Sequence, residues 1–136
     1  MRIYDCYFDG SCEKNPDGRM GMGVFIESEG EKYEESFDKP ARKGNSNNVS
    51  EYMAVIRILE LVKNKKKCKL NIFGDSKMVI QQLAGNWKAK SGSYIGYYHK
   101  AMELVAKVKK NNELTFIWIP RDKNKKADEL SKEYME

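Results

Sequence analysis

The chain holds a single histidine, His99, and three cysteines, Cys6, Cys12 and Cys68, none in a CxxC pair. So little nitrogen and sulfur leaves no zinc ligand set and gives a serine–histidine triad almost no support. An odd cysteine count argues against a disulfide framework and fits a reducing, cytoplasmic compartment. Long apolar runs are also missing. Nothing approaches the roughly 18 residues needed to cross a bilayer. The opening Met1-Arg2-Ile3-Tyr4-Asp5 places an acid where a secretory leader would be apolar. Repeats and low-complexity tracts are absent, and 136 residues suit a single domain, 1–136, large enough to bury a core unaided.

Charge, by contrast, is plentiful. Charged residues make up 33% of the chain against 40% hydrophobic, and the net charge is +5. The excess is concentrated in Lys63, Lys65, Lys66, Lys67 and Lys69, and again in Lys123, Lys125 and Lys126. Such clusters permit a polyanionic partner without demanding one, because a solvated helix end looks the same.

Periodicity supplies the architecture. Residues 2–9 alternate, with Tyr4, Cys6 and Phe8 on one face and Ile3, Asp5, Tyr7 and Asp9 on the other, which predicts a strand closed by Asp9. Strands over 20–28 and 31–38, joined by Glu29-Gly30, complete an antiparallel meander. A polar break then leads to a helix over about 49–63. A short strand over 70–73 runs into a helix from Ser76. Another helix ends near Lys109, a strand covers 114–119, and a last helix spans about 124–134. The order βββαβααβα predicts an α/β fold, a mixed five-stranded sheet with helices on both faces, since strand–helix–strand units require parallel pairing.

Four carboxylates stand out against this frame. Asp9 ends a half-apolar strand beside Gly10. Glu51 shares its helical stripe with Val55, Ile58 and Val62, so it points toward packed surface. Asp75 sits at a strand–helix junction, the end of a parallel sheet where ligands collect. Asp128 lies on the last helix, near the loop after the fifth strand. Each has an ordinary alternative: a turn residue, a dipole-favoured acid, an N-cap or a solvated helix acid. Collectively they read differently. The first and fourth strands are natural neighbours, so Asp9 and Asp75 should lie side by side with Glu51 on the same rim. Clustered carboxylates raise one another's pKa unless a cation intervenes, and oxygen-only ligands suit Mg2+ or Mn2+.

Asp9-Gly10-Ser11, Asn47-Asn48-Val49-Ser50-Glu51, Gly74-Asp75-Ser76 and Ala127-Asp128-Glu129-Leu130 resemble, in order, the four signature segments of type 1 ribonuclease H. The resemblance covers essentially the whole chain. It implies a ribonuclease H-like fold and endonucleolytic cutting of the RNA strand of RNA–DNA hybrids, leaving 5′-phosphate and 3′-hydroxyl ends. It implies two Mg2+ ions, with Mn2+ as a substitute, held by Asp9, Glu51, Asp75 and Asp128, with Asp9 shared between them. Asn15, Asn47 and Asn48 match positions that recognise 2′-hydroxyls, and Ser46 matches a contact to a DNA phosphate. Trp87 and Lys88 match contacts along the DNA strand, although Trp87 also suits a core position.

Two departures qualify the match. The basic protrusion is reduced to Asn86-Trp87-Lys88-Ala89-Lys90, leaving the Lys63–Lys69 cluster as a further candidate for substrate affinity. The loop before Asp128 lacks the usual histidine and reads Ile119-Pro120-Arg121-Asp122-Lys123-Asn124, as in a branch known from archaea and some bacteria. Arg121 is the candidate to fill part of that role, with a structural salt bridge as its alternative. Two rival readings remain: a non-cleaving nucleic-acid-binding module, and another metal nuclease of the superfamily such as a junction resolvase or integrase core. Duplex RNA as a side substrate is left open, and a monomer is the expected state.

Overall fold

The alternation at the N-terminus builds β1 (Arg2–Cys12), whose Cys6 and Phe8 are fully buried. β2 (Met20–Ser28) is buried from Met20 through Phe25, whereas β3 (Glu31–Lys39) is largely exposed, as an edge strand must be. Glu29 and Gly30 connect them with φ values of 51° and 83°, the left-handed pair that a two-residue hairpin of native twist requires. The remaining elements are α1 (Asn47–Val62), β4 (Cys68–Gly74), α2 (Lys77–Leu83), α3 (Ile95–Lys109), β5 (Glu113–Trp118) and α4 (Lys125–Ser131). Short 3-10 turns cover Arg121–Lys123 and Glu133–Met135. This computed structural model describes residues 1–135.

The strand order is β3-β2-β1-β4-β5, antiparallel through β1 and parallel from β1 to β5. The expected mixed sheet is therefore present. Its main core lies between β1, β2 and β4 and the helices α1, α2 and α3. Val55, Ile58 and Val62, the stripe shared with Glu51, are all at or below 1% exposure, so the stripe does face packed surface. α4 packs on β1, β2 and β3 from the other side, giving helices on both faces.

Three glycines stand where a side chain could not fit, two of them against the backbone of a helix. A Cβ on Gly10 would collide with the α1 backbone at Ser50 and Glu51, whereas one on Gly23 would strike the Ala127 carbonyl of α4. Phe8 fills the space a Cβ on Gly74 would need, one residue before Asp75. The first two contacts fix the helix carrying Glu51 against β1 and the helix carrying Asp128 against the adjoining β2.

Two expectations need correcting, and a third acquires a place. β1 does not end at Asp9 but continues to Cys12 along β2. What stops near Asp9 is the parallel pairing with β4, last seen at Tyr7–Phe73. The last helix ends at Ser131 rather than 134, because the chain turns to lay the Tyr134 ring over Gly21 and beside the Arg19 guanidinium. The Lys63–Lys69 cluster lies at the start of β4, beside Arg2, the end of the sheet opposite Asp75. A strand of this length separates the two by about 20 Å.

Because α4 approaches β2 across Gly23 with no room to retreat, Gly23→Ala should destabilise the fold by about 2–3 kcal/mol. Urea unfolding followed by circular dichroism measures this, and a wild-type midpoint in the variant would contradict the close approach.

Candidate active site

The carboxylates meet because three chain turns end at one sheet edge. β1 carries Asp9 just beyond its last pairing with β4, and β4 runs through Gly74 directly into Asp75. Asp75 does not cap α2. Ser76 does, its Oγ accepting from Val79 N at 3.3 Å, which leaves the Asp75 carboxylate free to face β1. α1 delivers Glu51 one turn after its own cap, Ser46. Oxygens of Asp9, Glu51 and Asp75 lie within 4.8 Å of one another. Asp128 joins them in lining an open hollow of about 390 Å³, along with Asn47, Arg121 and Lys132.

Electrostatically the cluster is strained. Burial pushes the Asp9 carboxyl up to about 7, with Asp75 and Asp128 adding repulsion. Glu51, 7% exposed, is driven well above its ordinary range by burial and then by Asp9. Asp75 is raised by burial, against the pull of a hydrogen bond from Asn124. Asp128 goes the other way. Burial opposes its charge, but a hydrogen bond with Asp9 and the cation of Lys132, 3.1 Å away, bring it below the usual value. Arg121 adds a weaker contact to Asp128 at 3.7 Å.

The backbone N–H of Gly10 donates to Asp9 Oδ1 (3.0 Å) and Glu51 Oε1 (3.2 Å). Among the described residues Glu51 Oε2 is buried with no partner. A buried carboxylate oxygen lacking any donor, on a residue clustered with two further carboxylates, fits a hard divalent cation. The residues present therefore suit the metal the sequence implies.

A family model described as reverse transcriptase-like matches residues 7–134. The ribonuclease H of Francisella philomiragia is 35% identical over 92% of this chain and 86% of its own length. The chain belongs to the ribonuclease H family. LC11-RNase H1, solved in complex with an RNA/DNA hybrid, superposes with a TM-score of 0.83 at 31% identity, covering 96% of this chain and 94% of that one. A bifunctional protein of Mycobacterium tuberculosis is 29% identical over 94% of this chain, which spans only about a third (34%) of its length.

The positions that the sequence resemblance assigns to substrate fall into two groups. Asn15, Ser46 and Asn47 are interlocked: Asn15 Oδ1 accepts from Asn47 N, and Asn47 Oδ1 accepts from Cys12 N, both at 3.1 Å. Ser46 Oγ accepts from Val49 N, so its capping role is present whatever else it does. Asn48 is exposed beside them. Trp87, 47% exposed, is not a core residue and stands with exposed Lys88 in the loop after α2. Arg121 is mostly exposed at the rim, and its contact to Asp128 is the only ion pair it makes among the described residues.

Sequence reasoning missed Asn124, Lys132 and Trp118. Asn124 is 1% exposed and donates to Asp75, Lys132 pairs with Asp128, and Trp118 Nε1 donates to the Asp75 carbonyl at 3.1 Å. The i,i+4 spacing of Asp128 and Lys132 was a readable signal. No signal short of the fold marks Asn124.

A pH dependence follows. A folded carboxyl whose pKa is raised holds a proton that the unfolded chain has released, so its contribution to stability is complete below about pH 4 and lost as pH rises through about 7. In EDTA the melting temperature should therefore fall between pH 5 and 8, less steeply in Asp9→Asn. Added Mg2+ should raise it more at pH 8 than at pH 5. Equal slopes for both proteins would remove Asp9 from the account.

Proposed function

We propose that this protein hydrolyses the RNA strand of RNA–DNA hybrids, using divalent ions held by Asp9, Glu51, Asp75 and Asp128. The observation that carries this reading is the trio of buried Asp9 and Glu51 with half-buried Asp75, with oxygens inside 4.8 Å and one oxygen of Glu51 lacking any donor. Without a cation such a trio repels phosphate, and a protein that only bound nucleic acid would gain nothing from it. Two ions of the Mg2+ class, with Mn2+ as a substitute, would supply Lewis-acid activation of the attacking water and neutralise charge on the departing oxygen. Water adds to phosphorus as the bond to the 3′-oxygen breaks, leaving 5′-phosphate and 3′-hydroxyl ends.

The chain's own residues do the rest. The oxygens of Asn15 and Asn47 are occupied by backbone N–H groups, which fixes their amide NH2 groups in place. Asn47 lines the hollow with the carboxylates, and with Asn15 and exposed Asn48 it would supply donors suited to 2′-hydroxyls in the shallow minor groove of a hybrid. Ser46 meets a phosphate of the DNA strand, while Trp87 packs a ring against deoxyribose and Lys88 lends charge. Arg121, on its exposed arm, turns from Asp128 toward charge developing at the scissile phosphate. The solved LC11-RNase H1 complex with an RNA/DNA hybrid supports the choice of substrate.

Labelled RNA–DNA hybrid, duplex DNA and duplex RNA incubated with Mg2+ or EDTA test the reading. Cutting should be confined to the RNA of the hybrid and abolished by EDTA, and Asp75→Asn should lower it by orders of magnitude while the fold persists. Cleavage in EDTA, or of duplex DNA in preference, would overturn it.

Arg121→Ala should lower kcat by about a hundredfold with little change in hybrid affinity. Arginine stays protonated, so the native-to-variant ratio should be flat between about pH 6 and 9. An unchanged kcat would leave the Arg121 loop a purely structural element.

A further inference from the structure

The cluster has one neighbour that is neither acidic nor exposed. Asn124 lies between the 3-10 turn Arg121–Lys123 and α4, and only 1% of it reaches solvent. Its Nδ2 donates to the carbonyl of Phe8 at 2.9 Å and to Asp75 Oδ2 at 3.2 Å. Both partners are acceptors only, which fixes the orientation of the amide: nitrogen, not oxygen, must face them. Phe8 immediately precedes Asp9. One NH2 group thus ties the strand that presents Asp9 to the carboxylate of Asp75, and both to the segment leading into Asp128.

We propose that Asn124 is the positioning residue of the carboxylate cluster, setting the separation and orientation of Asp9 and Asp75 for divalent-ion binding. The inference rests on the metal-dependent reading above. The geometry supports it in two ways. Repulsion drives Asp75 away from Asp9, and the donated hydrogen bond is the one side-chain contact holding Asp75 Oδ2 inward among the described residues. The other amide atom, Oδ1, is buried without a partner, so holding the Phe8 carbonyl and Asp75 comes with an unsatisfied acceptor that costs stability. A residue kept for packing alone would be apolar here. The amide joins the backbone before Asp9 to the carboxylate of Asp75 through one nitrogen.

The ion is read directly, without substrate. Mn2+ binding, followed by the electron paramagnetic resonance of the free ion, should be about tenfold weaker in Asn124→Ala than in the native protein. In an Asp75→Asn background the same replacement should change affinity little, because the group it orients has gone. Hybrid cleavage by Asn124→Ala should need correspondingly more Mg2+, with kcat largely recovered at saturating ion, whereas a merely structural role would lower kcat at every concentration. Equal Mn2+ affinity in folded native and Asn124→Ala protein overturns the proposal. Should Asn124→Ala fail to fold, the native protein still decides. Its Asn124 side-chain amide resonance should shift on Mg2+ titration with the midpoint of ion binding, and a stationary resonance overturns the proposal equally. Ion binding that depends on Asn124 in a protein that leaves hybrids intact would sink the nuclease reading but keep this one. A native protein that binds no divalent ion sinks both.

Discussion

Three carboxylates of like charge, two buried and one half-buried, meet where the parallel pairing of β1 and β4 ends, and much of the surrounding structure answers to their repulsion. Left alone, each would drift toward solvent or stay protonated. The fold prevents drift by covalent and steric means. Asp9 and Asp75 sit on adjacent parallel strands that cannot separate without breaking the sheet, and Glu51 rides a helix pressed against Gly10. Donors are few: the Gly10 N–H is shared by two acids, and Asn124 serves a third. Only Asp128 has cations of its own, Lys132 and Arg121, and only its carboxyl is held below the ordinary range. The cluster is thus three acids short of counter-charge and one acid supplied with it, an asymmetry between the buried and open sides of the hollow.

Glycine is the steric partner of this arrangement. Gly10 and Gly23 are placed on opposite faces of adjoining strands, each where a helix bearing an acid crosses. The two helices are set by backbone contact rather than by interdigitated side chains, which can repack. The position of an acid one turn along such a helix is correspondingly well defined.

Much of this was legible in the sequence. The period-two pattern of residues 2–9, the Glu29-Gly30 turn and the stripe through Glu51, Val55, Ile58 and Val62 each predict an element that is present. Neighbouring first and fourth strands predict that Asp9 meets Asp75. Local pattern could not locate the end of α4, because the ring of Tyr134 is drawn onto Gly21, more than a hundred residues earlier. Charge meets the same limit, as the Lys63–Lys69 cluster shows. Sequence shows charge density, and only topology shows which end of a strand it occupies. Asn124 was invisible on different grounds. An asparagine before a helix is ordinary, and its partners, Phe8 and Asp75, are brought to it by tertiary folding alone.

Trp118 closes β5 with its ring 44% exposed, its indole N–H bonded to the carbonyl of Asp75 and the Lys77 ammonium 5.7 Å from its ring centre. Indole emission responds to nearby charge and to hydrogen bonding. The molecule therefore carries its own optical reporter, one residue's backbone away from the buried carboxylates. With only one other tryptophan in the chain, Trp87, a Trp87→Phe background would isolate that signal. Events at the hollow could then be timed in solution without attaching a dye.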